Sequence, residues 1–330
     1  MQPKLGAHGA AAAPPPLRGL SYCRNSCFLD SLVMALLHRP AATLRARLEE
    51  AGGAARGGAG EEDDRRAVAA ELCLLLHFIH GGAAAGPAMT CTTLRQRLLA
   101  AMQRRGYENP ADGQPRDATE MLKALLEILR VPDTLRVTRR AEIQLAGGGE
   151  DARWWQRASS SSSSAPPVPH GTVWTAHLPS TARTVGQALH LSEEQEVEGC
   201  LDDEDMAGMA RLHGAPLPTP RYVRRRDTTK VVGVEGDLFF VELGRIYLDR
   251  AGRARRSTVA FSPDFIRFGD RIFAVVSVVC HAHHHYTCVL RRGGAWWEYD
   301  DRAPHHLRPC ALSADKLRTA VLYVYGRADG

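Results

Sequence analysis

Cys27 follows Asn25 and Ser26, both good helix N-cap types, and opens the apolar run Phe28-Leu29-Asp30-Ser31-Leu32-Val33-Met34-Ala35-Leu36-Leu37. A thiol in the first turn of a helix meets unpaired backbone amides and the positive end of the helix dipole. The spacing therefore predicts a lowered pKa and a nucleophilic thiolate. The competing reading is a small hydrophobe in a core helix, since free cysteine is among the most buried residue types.

A nucleophilic thiol needs a base to take its proton and a third group to hold that base in one tautomer. A hairpin far along the chain offers both. His285 opens a strand, Arg291 to Gly294 supply a turn, and Trp296-Trp297-Glu298-Tyr299-Asp300 returns. A four-residue loop sets His285 opposite Asp300, whereas a Gly293-Gly294 turn sets Asp300 opposite Thr287, on the same face as His285. Either register leaves the acid within reach of the imidazole, with Asp301 as a secondary acid. An ordinary surface hairpin is the competing reading.

These residues need elements to carry them. Apolar doublets from Phe28 to Leu37 predict a helix with one buried face, stopped by Pro40. Further helices are expected over Arg45 to Glu50, Val68 to His80 and Thr92 to Arg105, with Ala51 to Asp64 as a solvated loop between the first two. Asp117 and Glu120, spaced as in a capping box, open another helix with Met121, Leu122, Leu125, Leu126 and Leu129 on one side. Beyond residue 132 the periodicity shortens. A short helix is expected over Thr184 to Leu191 and an exposed loop over the acidic run Glu193 to Asp205. Strands are expected at Asp237 to Leu243, Ser257 to Phe261, Arg271 to Val279, Tyr286 to Leu290, Ala295 to Tyr299 and Thr319 to Tyr325. Helices first and strands after make an α+β chain, a helical lobe on a mostly antiparallel sheet.

Composition narrows the classes. The 330 residues are 44% hydrophobic, enough for a real core. No stretch of about eighteen apolar residues occurs, so no membrane span is expected. The Ala- and Pro-rich start, Met1 to Pro16, lacks the apolar core of a signal peptide, and a cytoplasmic or nuclear rather than secreted location follows. Eight cysteines without a C-x-x-C pair suit reduced thiols. The net charge of +5 includes clusters at Arg224 to Arg226 and Arg250 to Arg256. Solvated loops account for these better than nucleic acid does. His281, His283, His284 and His285 have no patterned carboxylate or cysteine to complete a tetrahedral site, so neither a metal nor another cofactor is expected.

Three pieces of the chain coincide with one family. Asn25-Ser26-Cys27-Phe28-Leu29-Asp30-Ser31 resembles the cysteine box of the ubiquitin-specific proteases, most of all the cylindromatosis-type branch and compact viral members. Gln114 with Asp117-Ala118-Thr119-Glu120-Met121-Leu122 is similar to that family's Gln-Asp-Ala-x-Glu-Phe-Leu helix. His285-Tyr286-Thr287 with Trp297-Glu298-Tyr299-Asp300-Asp301 resembles its histidine box. Asp237 to Leu243 and Val259 to Pro263 are weaker echoes between them.

The resemblance implies a papain-like cysteine protease fold of this type, a helical thumb on a β palm with reduced fingers. It spans residues 18 to 326 after a disordered tail over 1 to 17. The helical lobe would run from about 18 to 132, the β-rich lobe from 171 to 326, and a disordered insert would lie near 157 to 170. It further implies a Cys27-His285-Asp300 triad that hydrolyses isopeptides after the C-terminal glycine of ubiquitin, without a cofactor. Asp117 and Glu120 would meet basic residues of the ubiquitin tail, where guanidinium pairs well with carboxylate. Ubiquitin or polyubiquitin conjugates would be the partners.

One departure bears on catalysis. Most members place an oxyanion-donating asparagine five residues before the nucleophile, and here that position is Tyr22. Losing such a donor costs roughly a hundredfold or more unless Asn25, the Tyr22 hydroxyl or nearby backbone amides replace it. Two alternatives stay open: a protease for SUMO or another ubiquitin-like modifier, and a catalytically inactive ubiquitin-binding module.

Overall fold

A computed structural model describes residues 17–23, 25–53, 60–81, 89–107, 117–145, 155–156, 167–177, 183–190, 193–200, 222–248, 253–263 and 265–328. Gln114, Ser159 to Ser164 and the stretch 1–16, on which expectations above rest, lie outside them. No helix among the described residues is long and apolar enough to cross a membrane.

The chain is α+β, as its periodicities predict. Five helices come first: α1 (Cys27–Leu37), α2 (Ala42–Gly53), α3 (Glu61–His80), α4 (Thr92–Arg104) and α5 (Ala118–Ile128). An eight-stranded sheet follows in the order β14-β13-β12-β11-β15-β7-β4, with β10 beside β11. Its strands are β4 (Val173–His177), β7 (Leu238–Gly244), β10 (Ile266–Phe268), β11 (Arg271–Ala282), β12 (His285–Arg292), β13 (Ala295–Tyr299), β14 (Leu307–Cys310) and β15 (Ala320–Arg327). All pairs are antiparallel except β4 with β7.

A second sheet is built on β1 (Leu135–Leu145) and β6 (Tyr222–Val234), with β2 (Trp155–Gln156), β3 (Val168–Pro169) and β5 (Glu193–Cys200) at their sides. The remaining elements are α6 (Val185–His190), the β8 (Ile246–Leu248) and β9 (Ala254–Arg256) pair, and α7 (Ala314–Thr319).

Helix α1 is buried on every side, Cys27 through Leu37, not on one face as its spacing suggests. It packs on β11 and β12 of the large sheet and is enclosed by α3 and α5. The Ser277 hydroxyl on β11 donates to the Ala35 carbonyl at 3.0 Å and pins it there. The nucleophile candidate thus stands on a central axle of the molecule.

Three local expectations give way for identifiable reasons. The acid-rich stretch before Val68 is not all loop, because α3 begins at Glu61: four acids complement the helix N-terminus. There Arg66 pairs with Asp63, and Arg104 of α4 donates to Asp64 at 2.9 Å. Of the acidic run expected as a loop, Glu193–Cys200 instead forms β5, paired residue for residue with β6 so that Glu196 lies opposite Arg226 and Glu198 opposite Arg224, and residues 201–205 lie outside the described ones. Ser257 to Phe261, expected as a strand, joins no sheet. The buried Arg245 guanidinium takes its carbonyls instead, donating to Ser257 O at 3.1 Å and Val259 O at 2.9 Å, and also to Leu317 O at 2.6 Å and to Ala320 O.

Candidate active site

Strand β11 turns into β12 through only two residues, His283 and His284, with Ala282 paired to His285. Both turn residues have positive φ, 50° and 59°, the pattern of a type I′ turn that twists with the sheet. His285 is therefore the first residue of β12. The next hairpin also uses a two-residue turn, Gly293-Gly294, because Arg292 pairs with Ala295 and Cys288 with Tyr299. That is the second of the two registers left open by sequence. It brings Asp300 off the end of β13 beside His285, and His285 Nε2 lies 2.9 Å from Asp300 Oδ1.

Burial acts to raise the Asp300 pKa, but the His285 hydrogen bond and the Arg302 N–H, at 3.0 Å, outweigh it and hold the carboxyl below its ordinary value. An ionised Asp300 accepts the Nε2 proton, which leaves Nδ1 as the basic nitrogen. Nδ1 is buried and has no hydrogen-bond partner among the described residues. Asp301 Oδ1 is 3.6 Å from the same Nε2, too long for a hydrogen bond.

Cys27 is 5% exposed. The backbone N–H groups of Tyr286, the residue after His285, and of Phe28 both point at its sulfur. The predicted fall in its pKa is not found. Burial, the largest influence, raises it; the Tyr286 N–H, Arg302 and the Phe28 N–H lower it, while Asp301 raises it further, and the net result lies above the ordinary thiol value. The resting group is a thiol that needs a base. Nor does Ser26 cap the helix through its side chain. Its Oγ accepts from Cys23 N at 3.0 Å and donates to Asp30.

Upstream, Asn25 sits in the left-handed region, φ 60°, where asparagine is the most tolerated residue after glycine. The Tyr22 hydroxyl donates to Asn25 Oδ1 at 2.8 Å and accepts the Asn25 backbone N–H at 3.0 Å. Arg302 donates to the same hydroxyl oxygen at 3.3 Å, its guanidinium 4.7 Å from the Tyr22 ring centre. The hydroxyl proton is thus committed to Asn25.

Asp117 caps α5 by accepting the Thr119 N–H at 2.6 Å. Its charge acts on Tyr286, which stacks on His281 with ring centres 4.2 Å apart and faces the Ala118 backbone N–H. The α5 N-terminus therefore borders the Cys27 site. Glu120 is exposed and its charge acts on Tyr107, further along.

His285, Asp300 and Asp301 form the one group among the described residues whose ligand atoms, within 4.8 Å of one another, are close enough for a metal ion. The 2.9 Å hydrogen bond is the arrangement of a base and its orienting acid, and accounts for the proximity of His285 and Asp300. The sequence alone marks no role for Arg302 or Tyr286. Arg302 alone had a signal, a cation directly following two acids.

No family model matches the sequence, and no match is found among curated proteins. Solved structures do match. The yeast SAGA DUB module carrying a mutant Sgf73 gives a TM-score of 0.57 at 12% identity over 97% of this chain and 70% of that one. The Ubp8/Sgf11/Sus1/Sgf73 module bound to monoubiquitin gives 0.58 at 13% identity, over 96% and 70%. The module bound to ubiquitin aldehyde gives 0.56 at 13%, over 97% and 71%. The shared feature is the fold, an α+β deubiquitinase fold of the ubiquitin-specific-protease type.

Proposed function

We propose that the protein is a thiol-dependent deubiquitinase of the ubiquitin-specific-protease type, with Cys27 as nucleophile, His285 as base and Asp300 as the acid that orients it. The observation that carries this reading is the His285 ring: one nitrogen is bound to Asp300 at 2.9 Å, the other is buried, basic and without a partner among the described residues, and the next residue's N–H points at the Cys27 sulfur. The similarity to a fold solved with monoubiquitin and with ubiquitin aldehyde supports ubiquitin as the modifier. The Asn25-to-Ser31 sequence favours the cylindromatosis-type branch.

In this reading the Cys27 proton moves to His285 Nδ1 as sulfur bonds to the glycine carbonyl carbon, whose oxygen becomes an oxyanion. Collapse breaks the C–N bond, and Nδ1 returns the proton to the leaving lysine amine. Water, deprotonated by the same nitrogen, then hydrolyses the thioester. The oxyanion falls to backbone N–H groups at the α1 N-terminus, since the Tyr22 hydroxyl and the Asn25 backbone N–H are already engaged with each other, and the Asn25 side-chain NH2 is the second candidate donor. We assign Asp117, beside the Tyr286–His281 stack, and the exposed Glu120 to the basic residues of the ubiquitin tail.

Ubiquitin and SUMO carrying C-terminal electrophiles test the reading. Expected is a ubiquitin adduct on Cys27, absent in Cys27→Ala. An adduct with SUMO alone would transfer the activity to another modifier, and binding of ubiquitin without any adduct would indicate an inactive binding module.

A further inference from the structure

Beneath the site lies a second pair of acids, on different elements. Asp30, one turn into α1, is 0% exposed, and Asp301, in the loop after β13, is 3% exposed. Their carboxyl groups lie within hydrogen-bonding reach of each other. Asp30 Oδ2 receives the Ser26 hydroxyl. Asp30 Oδ1 and both Asp301 oxygens are buried with no hydrogen bond of ordinary geometry among the described residues, while the Cys91 N–H and thiol bear on the Asp30 carboxyl and favour its ionised form, so that the proton belongs on the Asp301 side of the pair.

Two ionised carboxylates are acceptors only, so they cannot bond to each other, and buried acceptors without donors are costly. One proton between them removes the conflict, as in other carboxyl pairs held close together.

We propose that Asp30 and Asp301 share one proton, and that this acid–carboxylate bond clamps the loop carrying Asp300 to the helix carrying Cys27. Both are positioning residues. The inference rests on the reading of Cys27, His285 and Asp300 as a triad, and adds a proton that the triad does not itself exchange.

The surroundings fit a single negative charge. Cys27 faces the pair from α1, Cys91 from the start of α4, His285 and Cys288 from β12, and Tyr299 from β13, while Asp300 and Arg302 flank Asp301 in its own loop. Burial raises the pKa values of Cys91, Cys288 and Tyr299 and keeps them neutral. Asp300 is held ionised, and Arg302 is the permanent cation. Burial, reinforced by Asp30, raises the Asp301 pKa to about 7, and burial raises that of Asp30 as well. Above that pH the pair would carry two charges facing a thiol that must itself become anionic.

The test compares Asp30→Asn with Asp30→Ala in the full chain. An asparagine amide donates to Asp301 at every pH, whereas alanine donates at none. For wild type, kcat/KM on a ubiquitin C-terminal fluorogenic amide is expected to fall as pH rises above about 7. Asp30→Asn should stay within about threefold of wild type at about pH 6.5 and lose that fall, whereas Asp30→Ala should lose about tenfold or more.

A readout independent of turnover is the pH profile of unfolding free energy. The folded pair holds a proton that unfolded carboxyls, with pKa near about 3.9, release. Its contribution is therefore full below about pH 4 and lost as pH rises through about 7, and this decline should be missing from Asp30→Asn. Persistence of the decline in Asp30→Asn, or an alkaline fall in kcat/KM identical in both proteins, would overturn the clamp. A protein that keeps the unfolding decline but cleaves no ubiquitin substrate would retain the shared proton and refute the deubiquitinase reading instead.

Discussion

His285 Nε2 hydrogen-bonds to Asp300 at 2.9 Å and stands 3.6 Å from Asp301, so of two adjacent acids only the first orients the ring. Asp300→Asn presents an amide that does not fix the tautomer with the basic nitrogen on the sulfur side. Its kcat on a ubiquitin C-terminal amide should fall on the order of a hundredfold or more, with little change in melting temperature.

Because burial leaves Cys27 a thiol at rest, its alkylation by iodoacetamide should be slow at neutral pH and should accelerate as pH rises above about 8, the thiolate being the reactive form. Arg302 lowers the thiol pKa, so Arg302→Ala should slow alkylation at about pH 7 by about threefold, and more at low ionic strength. A rate that is flat with pH would contradict the raised pKa.

His38, buried just past the end of α1, has its pKa pushed down to about 4 by burial, against opposing contacts to the Ala35 and Met34 carbonyls. The folded protein keeps it neutral while the unfolded chain protonates it near about pH 6.5. Its contribution is therefore present above about 6.5 and lost as pH falls toward about 4, by up to roughly 3 kcal/mol. Urea unfolding of His38→Leu at several pH values should lack this loss.

Arg245→Met should lower stability by about 3 kcal/mol or more, since four backbone carbonyls lose their guanidinium donors. The damage should centre on residues 257–261, read by hydrogen exchange, and leave the α1–β12 region protected.

Glu120 is exposed, and Asp117 is the residue that caps α5. Glu120→Lys should raise KM for ubiquitin substrates about tenfold through charge reversal, with an unchanged melting temperature. A shift in melting temperature with constant KM would assign Glu120 to the helix alone.

Much of this architecture was legible because period and punctuation are local. The sequence places helix α1 from Cys27 to about Leu37 and shows the Asp117 cap of α5. The hairpin narrowed the His285–Asp300 register to two choices, which the doubled glycine turn then resolved. What remained hidden depends on distant partners. The total burial of α1 follows from α3, α5 and two strands closing round it. The pairing of β5 with β6 joins well-separated stretches of chain, and the 257–261 segment depends on one buried arginine. The Cys27 pKa moved against expectation because a dipole argument takes no account of how deeply the thiol lies.

The His283-His284 turn has an energetic consequence. Two non-glycine residues held at positive φ, at about 1 kcal/mol or more each, leave the ring of His285 on a stiff, minimal lever anchored in the sheet's centre. In the proposed mechanism, conformational freedom that a longer loop would surrender at each turnover is here surrendered once, when the chain folds. Substituting the pair with Asn-Gly should relieve the strain without moving the base, and inserting flexible residues there should lower kcat through entropy alone.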